Sequence, residues 1–94
     1  MPAYIIGHIT VRDAAKWAEY RDRVGTTITA WGGELVFRGK KLQVLNGSHA
    51  HTDTVVACFP DKETLLGWHE SSEYQALIPI RDAGADVTLI SYEA

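Results

Sequence analysis

Phe59-Pro-Asp-Lys-Glu-Thr-Leu-Leu-Gly-Trp-His-Glu-Ser-Ser-Glu-Tyr-Gln-Ala-Leu-Ile-Pro-Ile-Arg81 joins the end of a strand to two capped helical segments and a polar-aromatic cluster. Phe59 closes an apolar run, and Pro60 stops it because proline has no N–H to give a ladder. Asp61 is placed to cap a short helix that carries Leu65, Leu66, Trp68 and His69. Ser71 and Ser72 offer a second cap, opening a helix with Tyr74, Leu77, Ile78 and Arg81 on one side. Pro79 is expected to make the later turns of that helix irregular, since it removes a donor and crowds the preceding turn.

Working outward, Ala3 to Val11 alternates as a strand, with Tyr4, Ile6, His8 and Thr10 on one face and Ile5, Gly7, Ile9 and Val11 on the other. Gly7 within it signals a bulge or a close neighbour. Asp13 caps a helix whose stripe is Trp17, Tyr20, Val24, Ile28 and Trp31, ended by Gly32-Gly33. Glu34 to Gly39 reads as a second strand, Gly39 to Lys41 as a turn, and Leu42 to Leu45 as a further short strand closed by Asn46-Gly47. Thr54 to Phe59 has the continuous apolar character of a strand buried on both faces. Gly84 releases the last helix, and Asp86 to Glu93 alternates as the final strand. The order is a doubled β-α-β, which predicts an α+β, ferredoxin-like βαββαβ domain with a four-stranded antiparallel sheet spanning residues 1–94.

Composition narrows the function classes. The chain has 94 residues, enough for one domain that buries roughly two-thirds of its unfolded surface. A net charge of -3, with basic residues scattered apart from Arg38, Lys40 and Lys41 at a predicted hairpin tip, argues against nucleic acid as a partner. The lone Cys58 in an apolar run reads as an inert thiol. No basic start followed by a long apolar segment is present, and no apolar run approaches the ~20 residues that span a bilayer, so a cytoplasmic location with no membrane partner is expected.

Tyr20, Gly32-Gly33, Arg38-Gly39, Gly47, Phe59, Trp68, Ser71, Glu73-Tyr74 and Arg81, in this order and spacing, resemble the bacterial family called domain of unknown function 1330, of the dimeric α+β barrel superfamily. The resemblance implies a homodimer in which two four-stranded sheets meet face to face, with helices outside. Superfamily relatives include cofactor-independent monooxygenases, isomerases, dehalogenating and dehydrating enzymes, and haem proteins, so activity has to be argued from the site.

The side chains expected to converge are His8, Arg38, Trp68, His69, Tyr74 and Arg81. An arginine beside aromatic rings suits a carboxylate, enolate or phenolate. His8 is the candidate catalytic proton carrier, because imidazole titrates near neutral pH. Against this stand plainer roles: Trp68 and Tyr74 as core anchors, Arg81 paired with Glu73 or Asp82, and His8 as a satisfied core or interface residue. His49 and His51, with Asp53, share the spacing of metal ligands but lack a fourth, so no metal is expected there, and no cofactor elsewhere. No nucleophile elbow occurs, and Gly32-Gly33 leads from helix to strand, the reverse of a dinucleotide site. The reading is a homodimer with a pocket for a small anionic or aromatic metabolite. One alternative is a cofactor-independent monooxygenase or isomerase using His8 and Arg38, and the other is a structural or interaction dimer whose interior is filled.

Overall fold

In a computed structural model describing residues 1–94, the chain folds as β1 (Ala3–Val11), α1 (Ala14–Ala30), β2 (Glu34–Lys40), β3 (Asp53–Phe59), α2 (Lys62–Glu70), α3 (Ser72–Gln75), α4 (Ile78–Gly84) and β4 (Ala85–Glu93). The four strands form one antiparallel sheet in the order β2-β3-β1-β4. This is the ferredoxin-like α+β arrangement, with all helices on one face of the sheet.

Caps fix the helix starts. Asp13 Oδ1 accepts hydrogen bonds from the N–H groups of Ala15 and Lys16, each at 3.1 Å, and Asp61 Oδ1 accepts from that of Thr64 at 2.8 Å. Gly32 ends α1 at φ +75°, a left-handed conformation that suits glycine. Trp31 leaves the stripe it was expected to extend; its ring lies against Gly67 at the surface. The core joins Ala3, Ile5 and Ala57 of the sheet to Tyr20, Val24 and Ile28 of α1 and to Phe59, Leu65, Trp68, Tyr74 and Leu77.

Four further expectations change. Residues 42–45 form no strand. They alternate but find no ladder partner in the chain, which turns at Gly47 (φ +82°) and returns where the Lys41 N–H donates to Thr52 O. Strand β2 runs through Lys40, so Arg38 lies in the sheet and not at a hairpin tip. Strand β3 is central but covered by helices on one face only, since Thr54, Val56 and Cys58 point to the side that carries none. Pro79 does not distort a long helix; it sits in the first turn of a separate α4, where its missing N–H would have had no partner. Gly7 does meet a close neighbour: a β-carbon there would lie 2.9 Å from Val55 Cγ1.

Candidate functional site

Register decides which side chains meet. Directly paired residues point to the same face of a sheet, and the pairs Gly7↔Val55 and Arg38↔Val55 put Arg38 on the helix-covered face. The pairs His8↔Thr54 and His8↔Thr88 put His8 on the open face. The expected meeting of His8 with Arg38 in one pocket therefore does not occur. A bulge in β2 is the reason. Leu35 pairs with Ala57 and Phe37 with Val56, leaving Val36 as an extra residue, so Leu35 and Arg38 share a face that strict alternation would have denied them.

On the helix-covered face, between α1 and the sheet, lies a cavity of about 80 Å³. Ile5, Ile9, Val24 and Leu89 make its wall largely apolar, with Trp17 and Trp68 beside them and Asp53 and Thr54 as polar members. It opens between α1 and the edge strand β2, where a surface groove of about 690 Å³ shares Arg21, Val24, Ile28, Leu35 and Arg38 with the cavity. Partial burial pulls the Arg38 pKa below its ordinary value, and the like charge of Arg21 adds to the effect. Neither guanidinium has a carboxylate within ion-pair distance, the two ion pairs of the chain being Arg12–Asp86 and Arg81–Asp82. Two cations at the mouth of an apolar cavity can accept an anionic group while the cavity takes its apolar body.

The other expected site residues form a separate cluster. Trp68 is buried, its Nε1 donating to Thr27 Oγ1 at 3.0 Å, and it contributes to the cavity lining. Tyr74 is fully buried, its ring centroid 4.2 Å from that of Trp68. Its hydroxyl lies 3.0 Å from that of Tyr20 and accepts from Arg81 Nη1 at 3.0 Å. Burial tends to lower the Arg81 pKa, but Tyr74 and Asp82 outweigh it and hold the charged form more firmly than usual. His69 packs its ring 5.5 Å from that of Tyr74, outside the cavity lining. Tyr74 and Arg81 thus join α1 to the later helices, the plainer of the roles considered for them, while Arg38 and Trp68 remain at the cavity.

Arg21 and Trp17 are functional candidates that strand-face reasoning passed over. Their signal was present: Trp17, Arg21, Val24 and Ile28 fall at helical spacing on α1, beside the stripe already recognised.

Burial first, then the neighbouring Tyr74, raises the Tyr20 pKa far above that of a free phenol. The folded chain therefore holds this proton where the unfolded chain would release it, and stability falls as pH rises above the ordinary tyrosine value of about 10. In an alkaline titration followed at a phenolate wavelength, the Tyr20 contribution is expected to appear only together with loss of the helical circular dichroism. Its appearance in a fully folded protein would contradict the burial of the Tyr20 and Tyr74 hydroxyls.

The model of the family described as Domain of unknown function (DUF1330) matches residues 2–94. No curated protein matches the chain. Among solved structures, a protein of unknown function from Rhodopseudomonas palustris superposes with a TM-score of 0.82 at 19% identity, covering 99% of this chain and 82% of its own. A dimeric ferredoxin-like protein of unknown function from Jannaschia sp. CCS1 gives 0.78 at 12% identity, with 100% of each chain covered. SnoaB, a cofactor-independent oxygenase from Streptomyces nogalater, gives 0.72 at 11% identity, covering 99% of this chain and 92% of its own. At these identities the likeness is one of fold.

Proposed function

The chain belongs to the DUF1330 family, and from that premise we propose that it is a homodimeric binding protein for a small anionic metabolite, held between α1 and the sheet with its charge at Arg38. The observation that carries this reading is the pair of arginines, Arg21 and Arg38, neither in an ion pair, at the mouth of a largely apolar cavity whose other polar lining residues are Asp53 and Thr54. The volume bounds the ligand. About 80 Å³ is the space of two to three waters, so the apolar body is a short chain, or a ring admitted by outward movement of Leu35 and Arg38, both exposed on the edge strand.

Dimerisation is supported by the sheet's open face. The row Phe37–Val56–Ile6–Ile90 and the pair Tyr4–Tyr92 lie there without a helix over them, leaving Phe37 54%, Tyr92 48% and Ile90 38% exposed. A second copy covers such a face with like surface, as a two-fold contact requires. The dimeric Jannaschia and Bacteroides fragilis neighbours with ferredoxin-like folds accord with this. The enzyme alternative that paired His8 with Arg38 has lost its geometric support, since the two lie across the sheet from each other.

Butyrate and benzoate are suitable probes. Of the three tryptophan indole N–H resonances, those of Trp17 and Trp68 are expected to shift on titration, while that of Trp31, outside the cavity, stays in place. Arg38→Ala is expected to weaken binding by about 1 to 3 kcal/mol, the worth of a charge-assisted hydrogen bond. Shifts of equal size in Arg38→Ala, or none in the native protein with either carboxylate, would sink this assignment.

A further inference from the structure

The open face carries a second feature, which the cavity does not use. His8 on β1 lies beside His49 and His51 from the segment between β2 and β3, with ring centroids 4.8 Å apart for His8–His49, 5.7 Å for His49–His51 and 6.3 Å for His8–His51. Two of the three are tethered. His51 Nδ1 lies 3.0 Å from Thr10 Oγ1, and His8 Nδ1 lies 3.4 Å from Thr54 Oγ1. No set of three or more His, Cys, Asp or Glu side chains is arranged to hold a metal ion.

The charges around the cluster favour the neutral form of His49. From the intervening segment, Lys41 Nζ donates to His49 O at 3.0 Å and brings a cation close. From β4, Thr88 faces His8, and Asp86 pairs in register with Thr10, but Asp86 is already engaged by Arg12 Nε at 2.9 Å. From β1 and β3 the cluster meets threonine hydroxyls. Asp53 follows His51 by two residues but faces the helix-covered side, where it lines the cavity, and the charges that bear on His49 are those of His8, His51 and Lys41.

We propose that His49, packed against His8 and His51, makes this cluster a proton-sensitive element on the dimer face, loosening the dimer as the pH falls below about 6.5, the ordinary histidine value. This rests on the reading that a second copy covers the open face. Two-fold symmetry brings two such clusters to one interface, so the repulsion is doubled there. The His49 pKa is depressed by desolvation first, then by His8, His51 and Lys41. A depressed imidazole binds fewer protons in the folded, assembled state than when free, so stability is held at high pH and lost as pH drops through the ordinary value towards the depressed one.

The test is the dimer dissociation constant by sedimentation equilibrium, at fixed ionic strength, from about pH 7.5 to about pH 5.5. It is expected to rise at least about tenfold, the response to one net proton over one pH unit. His49→Gln and His8→Gln are expected to flatten the curve, while His69→Gln, on α2 outside the cluster, leaves it unchanged. Circular dichroism is expected to keep its helical signal throughout. A dissociation constant indifferent to pH, an undiminished response in the His8→Gln/His49→Gln/His51→Gln variant, or dissociation that tracks loss of helical signal each overturns the proposal. A native protein monomeric at every pH overturns the dimer reading itself, so the two failures are distinguishable.

Discussion

Ile90→Asp is expected to convert the proposed homodimer into a monomer. Light scattering on a sizing column at micromolar concentration should report a mass falling from twice 10.4 kDa to the single-chain value. Ile90 pairs with Ile6 on the open face and is 38% exposed in the lone chain, so a carboxylate there is well tolerated by the monomer. Across a two-fold interface the same substitution buries two charges, one from each copy, at an effective cost of several kcal/mol per ion. That is more than about a thousandfold in dissociation constant. The variant should keep the native circular dichroism and a melting temperature close to the monomer's own. A variant that remains dimeric would place the contact on another surface and remove the open sheet from the interface.

The second large effect concerns stability. Gly84, the last residue of α4, accepts the N–H groups of Arg12 and Asp13 at 2.8 and 3.0 Å, locking the entry of α1 against the end of α4. A β-carbon on Gly84 would lie 2.6 Å from the backbone nitrogen of Trp17 and 3.0 Å from its Cα. The obstacle is helix backbone and not the tip of a flexible side chain, so Gly84→Ala has to push two elements apart. Overpacking of this kind costs about 1 to 3 kcal/mol, a drop of roughly 5 to 20 °C in melting temperature for a domain of this size. Gly25→Ala is the matching control. Gly25 is exposed in the middle of α1, and a β-carbon there meets nothing within 4 Å, so the alanine should stabilise by about 0.5 to 1 kcal/mol. Equal melting temperatures for the two variants would contradict the close seating of α4 on α1.

The element order was legible because local signals agreed with the global pattern: Asp13 and Asp61 as caps, Gly32 as a helix end, and Pro60 as a strand stop all act within one turn of where they stand. Leu42 to Leu45 misled because alternation reports an amphipathic segment, whereas a strand also needs a partner to bond, and partners are set by the topology. The site was partly legible. Arg38 and Trp68 do meet the cavity, and Arg21 sat on a helical stripe whose polar neighbours were not followed. The face assignment of Arg38 relative to His8 was not legible, because a period-two reading assumes an unbroken register and the Val36 bulge breaks it. The clustering of His8 with His49 and His51 depends on where a long irregular segment returns to the sheet, which no local pattern encodes.

That bulge also makes the pairing register of β2, and not residue identity, the determinant of which compartment receives a positive charge. Losing Val36 alone would restore strict alternation in β2 and leave Arg38 opposite Val55 over the cavity, whereas flattening the bulge with every residue kept would slide Arg38 opposite Thr54 and hand its guanidinium to the open face, without any substitution at all. A relative one residue shorter at the bulge would then keep its arginine over the cavity, and an alignment that closes the gap silently would set that arginine beside Phe37, a residue that faces the opposite side of the sheet.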